Sequence, residues 1–235
     1  MAVGRIQASW RDWQLKTLVQ YFSNRKHFFS LLLLLPTLVW FKLLEAHLVP
    51  EHLIEVPLDT ELPFIPAFVI PYLLWFPYIA FGCVFAGNSS KEELYKLVIF
   101  LGGGMSVAYI IFMLFPNAVD LRPDVMPTDF LSQLMKIVYK RDTPTNVCPS
   151  LHVINGFAVH AALSHTEAFK KRKYLTAISA VFYVFVCLST VFVKQHSVLD
   201  VFGGLAVGLF FYAMLYSNVR PFSLWQQRMH ERFES

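Results

Sequence analysis

Six long apolar segments, separated by polar loops, constrain most strongly how this 235-residue chain can fold. They cover residues 28–49, 64–87, 95–115, 151–168, 174–194 and 198–217. A helix needs roughly 20 mostly apolar residues to cross a bilayer, and each segment is close to that length. Hydrophobic residues make up 56% of the chain and charged residues 15%, against about 45–50% and about 25% in soluble domains. We therefore predict an all-α, polytopic membrane bundle of six transmembrane helices over residues 28–217.

The regions before and after the apolar segments have a different character. Residues 1–27 place aromatic and charged side chains near helical spacing, which predicts an amphipathic, cytoplasmic helix lying in the membrane interface. Residues 218–235 are predicted to form a cytoplasmic tail.

Basic residues indicate how the segments are oriented. Four basic regions fall on one side of a six-span arrangement: the N-terminal stretch, the loop with Lys91 and Lys96, the loop 170–173, and the tail. The acidic loop 50–63 carries neither Lys nor Arg. Because cytoplasmic loops are enriched in Lys and Arg, both termini are predicted to be cytoplasmic. Loop 116–150 and turn 194–198 then share the extracytoplasmic or lumenal face.

Basic residues on that outer face depart from the expected pattern. Lys136, Lys140 and Arg141 lie in loop 116–150. They either bind an anionic ligand or belong to an ordinary solvated loop.

Two other classes of function find no support in the sequence. The cysteines, Cys83, Cys148 and Cys187, are odd in number and widely spaced, which favours neither a disulfide framework nor a zinc site. No basic run interleaved with aromatic residues lies outside the apolar segments, so we expect no nucleic-acid partner.

The stretch "TVFVKQHSVLDVFGG", residues 190–204, carries Lys194, His196 and Asp200 at the start of an apolar segment. Ionisable groups at membrane depth are costly and mark functional sites. His196 and Asp200 are four residues apart and share a helix face. An aspartate that binds one ring nitrogen fixes the tautomer and makes the other nitrogen more basic. A single pair of this kind is also a common structural hydrogen bond.

Two further clusters belong to the same outer face. In "NVCPSLHV", Ser150 precedes an apolar run and is predicted to be the N-cap of a helix, whose free amides suit phosphate. His152 in the first turn could protonate a leaving oxygen. Arg122, in "DLRPDVMP", could bind phosphate oxygens through its planar fork, and Lys194 could bind them as a point charge.

These three clusters resemble the motifs of the type 2 phosphatidic acid phosphatase superfamily of membrane enzymes, K-x6-R-P, P-S-G-H and S-R-x5-H-x3-D. The corresponding residues here are Arg122-Pro123, "PSLH" at 149–152, and Ser189 through His196 to Asp200. The resemblance covers residues 95 to 217. It implies that His196 is the nucleophile that forms a phosphohistidine, that Asp200 orients it, and that His152 protonates the departing alcohol.

The resemblance further implies a phosphate cradle made of Arg122, Ser150 and the amide of Leu151. It implies no metal and no other cofactor. The expected partners are the bilayer and a lipid phosphate or phospholipid substrate.

Three positions depart from the family pattern. Phe115 replaces the lysine of the first motif, Leu151 the glycine of the second, and Thr190 the arginine of the third. Two of the usual phosphate-binding cations are therefore missing. We expect Lys194 to replace one, and Lys140 or Arg141 to replace the other.

The acceptor of the phosphoryl group stays open. The breadth of the family favours hydrolysis of a lipid phosphate or pyrophosphate. The same His, His, Asp arrangement also occurs in headgroup transferases, and "CPSLHV" with "KQHSVLDVFGG" is similar to the inositol phosphorylceramide synthase pattern. Sphingomyelin synthase is another such relative.

A non-catalytic lipid-binding protein is the alternative outside the enzymes. A small transporter is disfavoured because the two halves lack paired broken segments. The exact lipid, the membrane and the oligomeric state stay open.

Overall fold

The computed structural model describes residues 25–217 together with residues 229 and 231. The predicted interfacial helix and the predicted tail therefore lie almost entirely outside the described residues. The α-helices are α1 (Leu35–His47), α2 (Pro57–Glu61), α3 (Val69–Ser89), α4 (Lys91–Leu114), α5 (Phe130–Arg141), α6 (Leu151–His165), α7 (Glu167–Lys171), α8 (Lys173–Phe192) and α9 (Val198–Tyr216). Two 3-10 helices, Lys26–Leu34 and Pro66–Phe68, lead into α1 and α3.

Each predicted apolar segment corresponds to a helix of the bundle. Five helical stretches are long and apolar enough to cross a membrane: Lys26–His47, Pro66–Ser89, Lys91–Leu114, Lys173–Phe192 and Val198–Tyr216. The remaining segment forms α6, which has 15 residues and falls short of the roughly 20 that a spanning helix needs. The predicted class, an all-α multi-pass membrane bundle, is confirmed.

Helix α6 lies at the centre of the bundle, and most of its side chains are buried. It packs against α3, α4, α8 and α9. Small residues allow this close packing, as is common between membrane helices. A Cβ on Gly204 of α9 would lie 2.9 Å from the carbonyl oxygen of Ser150 and 2.8 Å from the Cβ of Val153. Gly204 thus lets the start of α9 approach the start of α6.

Large apolar side chains cover the outside of the bundle. Leu38, Phe76, Ile178 and Phe202, from four different helices, are each more than half exposed. Apolar side chains facing outward from several helices are the expected surface of a protein whose solvent is lipid.

The long loops meet at one end of the bundle. A short parallel pair joins β1 (His52–Leu53) to β2 (Asn117–Ala118). The buried Asn117 side chain accepts hydrogen bonds from the backbone N–H groups of Val147 and Cys148, both at 2.9 Å. Its amide nitrogen donates to the carbonyl oxygens of Phe115 and Cys148, at 2.8 and 3.0 Å. Asn117 therefore fixes the backbone that leads into α6.

Candidate active site

His196 is buried at this end of the bundle, in the turn between α8 and α9. Its Nδ1 lies 3.2 Å from Oδ2 of Asp200 and 3.1 Å from the carbonyl oxygen of Val147. Both partners can only accept, so Nδ1 carries the proton. In the neutral ring the lone pair is then on Nε2, which lies 3.5 Å from Oγ of Ser150. The predicted pairing of His196 with Asp200 is present, and it leaves the Nε2 lone pair facing the Ser150 hydroxyl.

Asp200 connects three parts of the site. Besides His196, its Oδ2 accepts from the backbone N–H of Ser197 at 2.9 Å, which closes a capping box at the start of α9. The backbone oxygen of Asp200 accepts from the N–H of Ser150 at 3.0 Å. The aspartate thus fixes the histidine ring, the first turn of α9 and the start of α6 relative to one another.

Ser150 lies at the predicted N-cap of α6 with an extended backbone, but its side chain caps no amide of that helix. Its hydroxyl faces Nε2 of His196 instead. The first amides of a helix lack intrahelical partners. The amides of the first turn, that of Leu151 included, receive no side-chain cap from Ser150 and can bind an anion beside the histidine.

His152 lies in the first turn of α6, with its ring centroid 5.8 Å from that of His196 and the planes at 72°. It stacks against Tyr72 and Trp75 of α3, at centroid distances of 4.4 and 4.3 Å. The indole nitrogen of Trp75 also donates to the carbonyl oxygen of His152 at 3.1 Å. Nε2 of His152 is buried and has no hydrogen-bond partner among the described residues. Buried polar atoms are rarely left unpaired, so this nitrogen is suited to a proton transfer with a bound substrate.

The Arg122 guanidinium forms hydrogen bonds and a ring contact with several parts of the protein. Nε and Nη2 donate to Oε1 of Gln195, at 3.0 and 2.6 Å. The guanidinium also donates to the carbonyl oxygens of Tyr139, in the last turn of α5, and of Asp142, directly after it, and it stacks on the Tyr139 ring. Burial lowers the pKa of Arg122 from its ordinary value, an effect opposed by Tyr139 and Asp142. Arg122 thereby pairs two carbonyl oxygens at the C-terminal end of α5 and also contacts Gln195, the neighbour of His196.

Lys194 occupies a left-handed backbone conformation, with φ of 57°. Its Nζ donates to the carbonyl oxygens of Asp59 and Leu62, both at 2.5 Å. Burial lowers the pKa of Lys194 from its ordinary value, and the charge of Asp59 partly offsets this. The ammonium therefore binds the C-terminal end of α2, and its predicted contact with phosphate stays a prediction.

The remaining predicted cations lie at the protein surface. Lys140 and Arg141 are exposed in the last turn of α5. The hydrogen bonds and ion pairs found within 25–217 include neither side chain. Phe115 stacks on His52 at 4.0 Å, and the Thr190 hydroxyl donates to the carbonyl oxygen of Cys187. Phe115 and Thr190, which replace the lysine and the arginine of the motifs, therefore supply no positive charge to the site.

The sequence reasoning missed several residues of the site. Asp59 is fully buried and contacts the turn that carries His196. Gln195 connects that turn to Arg122 and, at 3.2 Å, to the carbonyl oxygen of Asp142. The hydroxyl of Tyr72 donates to the Asp142 carboxylate. A polar residue next to His196 was a signal for Gln195, whereas nothing local indicated a partner for Asp59.

Cys148 lies beside the Asp200 carboxylate. Burial, with a further contribution from Asp200, raises the pKa of the Cys148 thiol to about 12. The thiolate, not the thiol, is the nucleophile. The thiol is therefore neutral at physiological pH.

Fold and site together define a helical, multi-pass membrane protein with two histidines and an aspartate at one end of the bundle. The PAP2 superfamily model matches residues 97–228, and the chain belongs to that superfamily. Membership confirms the family predicted from the three motifs and gives the protein a phosphatase- or phosphotransferase-type activity. Comparisons with curated proteins and with solved structures found no match.

Proposed function

We propose that the protein is a lipid phosphate phosphatase that works through a phosphohistidine on His196. The observation that carries this proposal is the pairing of Nδ1 of His196 with Asp200 and Val147, which leaves Nε2 beside Ser150 and the start of α6. A fixed tautomer with an accessible lone pair is what a histidine nucleophile needs.

In the first step, Nε2 of His196 attacks phosphorus, and the bond from phosphorus to the lipid oxygen breaks. His152 gives its proton to that oxygen, so the lipid leaves as an alcohol. The Asp200 carboxylate stabilises the positive charge that the ring gains as the N–P bond forms.

In the second step, a water molecule attacks the phosphohistidine, and His152 takes up a proton from it. Inorganic phosphate leaves, and His196 returns to its neutral form. No proposed step uses a metal ion, because His196 supplies the nucleophile and His152 supplies and takes up the proton.

The phosphoryl oxygens would bind at the start of α6, to the amides of Leu151 and His152 and to the hydroxyl of Ser150. Donors aimed at the place where charge develops usually supply the largest part of catalysis. Arg122 donates to Gln195, the neighbour of His196, and we propose that its positive charge helps to bind the phosphate. Lys140 and Arg141 lie at the end of the helix that Arg122 contacts, and we propose that one of them approaches the substrate.

The distribution of basic residues supports an orientation with both termini in the cytoplasm and the active site outside or in a lumen. The substrate would then enter from the outer leaflet. Its acyl chains would stay in the bilayer while the phosphate reaches the end of the bundle.

A second candidate is headgroup transfer from a phospholipid, and one observation favours it. Arg122 and Lys194, the two cations next to the His196 turn in the described chain, already donate to protein oxygens. A phosphodiester carries one negative charge and needs less compensation than a phosphomonoester with two. In this candidate a lipid hydroxyl, instead of water, resolves the phosphohistidine.

The test uses purified protein in detergent micelles and a panel of phosphatidic acid, a lipid pyrophosphate and several phospholipids. Release of inorganic phosphate and formation of new lipids are followed together, and His196→Ala is the blank. Phosphate release that the variant loses supports the phosphatase. New phospholipid or diacylglycerol without free phosphate supports the transferase. If His196→Ala turns over the panel as fast as the wild type, the phosphohistidine proposal is wrong. If neither protein forms any product while both bind the lipids, the non-catalytic lipid-binding alternative replaces it.

A further inference from the structure

The turn that carries His196 is held from both sides by the loop between α1 and α3. On the α9 side, Oδ2 of Asp59 accepts from the Ser197 hydroxyl at 2.6 Å, and Oδ1 accepts from the backbone N–H of Val198 at 2.8 Å. On the α8 side, the ammonium of Lys194 donates to the carbonyl oxygens of Asp59 and Leu62. These contacts join residues more than 130 positions apart in the chain.

Asp59 is itself held firmly. Its side chain is fully buried, and its Oδ2 also accepts from the backbone N–H of Val56 at 2.8 Å, which closes the first turn of α2. A buried carboxylate is costly unless it is paired. Here the backbone of α2, the start of α9 and the nearby Lys194 ammonium provide that pairing, and the carboxylate also lies at the positive end of the α9 dipole.

The backbone conformation of Lys194 indicates that the turn depends on these contacts. Its φ of 57° is a left-handed conformation, which a residue with a Cβ adopts at a cost. Such conformations persist where the surroundings determine them, and they are common at functional sites. Here the two carbonyl oxygens hold the side chain, and the residues after Lys194 lead directly into His196.

We propose that Asp59 is a positioning residue for the reaction: together with Lys194 it clamps the turn 194–198 and so fixes Nε2 of His196 relative to Ser150 and His152. The proposal rests on the function proposed above for His196. Asp59 and Lys194 together form this clamp. Asp59 lies outside residues 97–228, which the superfamily model matches, and none of the three motifs includes it.

The clamp gives Lys194 a different role from the one expected from the sequence. A phosphate ligand would contact the substrate, and its removal would raise KM. A clamp residue contacts the turn, and its removal would lower kcat with KM nearly unchanged. The two roles therefore differ in a measurable way.

The test compares Asp59→Asn and Asp59→Ala with the wild type, in detergent, on dioctanoyl phosphatidic acid or on the panel lipid with the highest His196-dependent turnover. Asparagine keeps an acceptor for Val198 but loses the charge and the bond from Val56. A misplacement of about 1 Å can cost about 100-fold in rate. We expect kcat to fall about 10-fold for Asp59→Asn and about 100-fold for Asp59→Ala, with KM changed by less than about threefold.

Asp129→Asn is the matched control. Asp129 caps α5 in loop 116–150, where its Oδ1 accepts from the N–H groups of Leu131 and Ser132, but it is exposed. We expect this variant to keep the wild-type kcat. Thermal unfolding in detergent is recorded for every variant. If Asp59→Ala does not fold, Ser197→Ala, which removes one bond to Asp59, replaces it with an expected fall of about 10-fold.

Lys194→Met in the wild-type and Asp59→Asn backgrounds completes the test. If both residues act through one clamp, the two effects on kcat are less than additive. A rise in KM that is the same in both backgrounds would assign Lys194 to phosphate and overturn its place in the clamp. Folded Asp59→Ala protein with wild-type kcat, alongside inactive His196→Ala, would overturn the clamp alone. Active His196→Ala would overturn the proposed function itself.

Discussion

Replacing Asp200 by asparagine separates two effects of this carboxylate on His196. The aspartate stabilises positive charge on the ring, and it accepts the Nδ1 proton that defines the tautomer. In a serine-hydrolase triad the same replacement costs about 10,000-fold in kcat, because the histidine then adopts the wrong tautomer. His196 differs, since the carbonyl oxygen of Val147 accepts the same proton at 3.1 Å and cannot donate. The tautomer should therefore survive the replacement.

Asp200→Asn should therefore remove only the charge from the hydrogen bond between Nδ1 of His196 and residue 200. Charge-assisted hydrogen bonds contribute about 1.5–3 kcal/mol. At about 1.36 kcal/mol for each tenfold change in rate, this predicts a fall in kcat of about 10- to 160-fold for Asp200→Asn. Asparagine can still accept from the N–H of Ser197, so the start of α9 should keep its capping bond.

The assay is steady-state turnover in detergent with the panel described above, and His196→Ala gives the background. Thermal unfolding confirms that the variant is folded. A loss of about 10,000-fold, equal to that of His196→Ala, would show that Val147 does not hold the tautomer. A kcat equal to that of the wild type would show that Asp200 does not act on the reacting ring at all.

Two further predictions concern Cys148 and metal ions. In a Cys83→Ser, Cys187→Ser background, Cys148 should react with iodoacetamide at pH 8 about 1,000-fold more slowly than an ordinary thiol, because its pKa is raised from 9.0 to about 12. The thiolate is scarce below that pKa and becomes abundant only as the pH rises through it. Turnover should not change in excess EDTA, because none of the proposed steps uses a metal ion.

Each of these predictions has a simple control. Protein unfolded in detergent should alkylate at the ordinary rate, and fast alkylation of the folded protein would show that the Cys148 environment is open to water. Loss of turnover in EDTA that is restored by added Mg²⁺ would contradict the metal-free mechanism.

Much of the fold could be predicted because membrane helices carry their signal in local apolarity. The bounds were less accurate where charge interrupts the pattern. Helix α4 begins at Lys91, four residues before the predicted segment, because Ser90 caps it and Lys96 pairs with Glu92 at 2.6 Å. Helix α6 ends at His165, three residues early, where Thr166 turns the chain into the short α7.

The site was predictable only in its local parts. The spacing of His196 and Asp200 and the position of Ser150 before an apolar run were enough to indicate the pair and the N-cap, and the structure contains both. The hydroxyl of Ser150 was expected to cap the helix and instead faces His196, because α9 approaches so closely at Gly204.

The long-range contacts had no local signal. The carbonyl oxygen of Val147, the side chain of Asp59 and the carbonyl oxygens that bind Lys194 reach the turn only through the fold of the loops. The position of Lys194, two residues before His196, favours a phosphate ligand when only the sequence is considered. Which of its possible partners it contacts is decided by residues more than 100 positions away.

The most direct measurement is to trap the phosphoenzyme. Wild-type protein is mixed with phosphatidic acid labelled at phosphorus, or with the best panel lipid labelled in the same way. The reaction is quenched in alkali, which preserves phosphohistidine, and the label is mapped by digestion and mass spectrometry. The mechanism predicts label on Nε2 of His196, formed faster than turnover and absent from His196→Ala. Label on another residue, or steady turnover with no label at all, would contradict it.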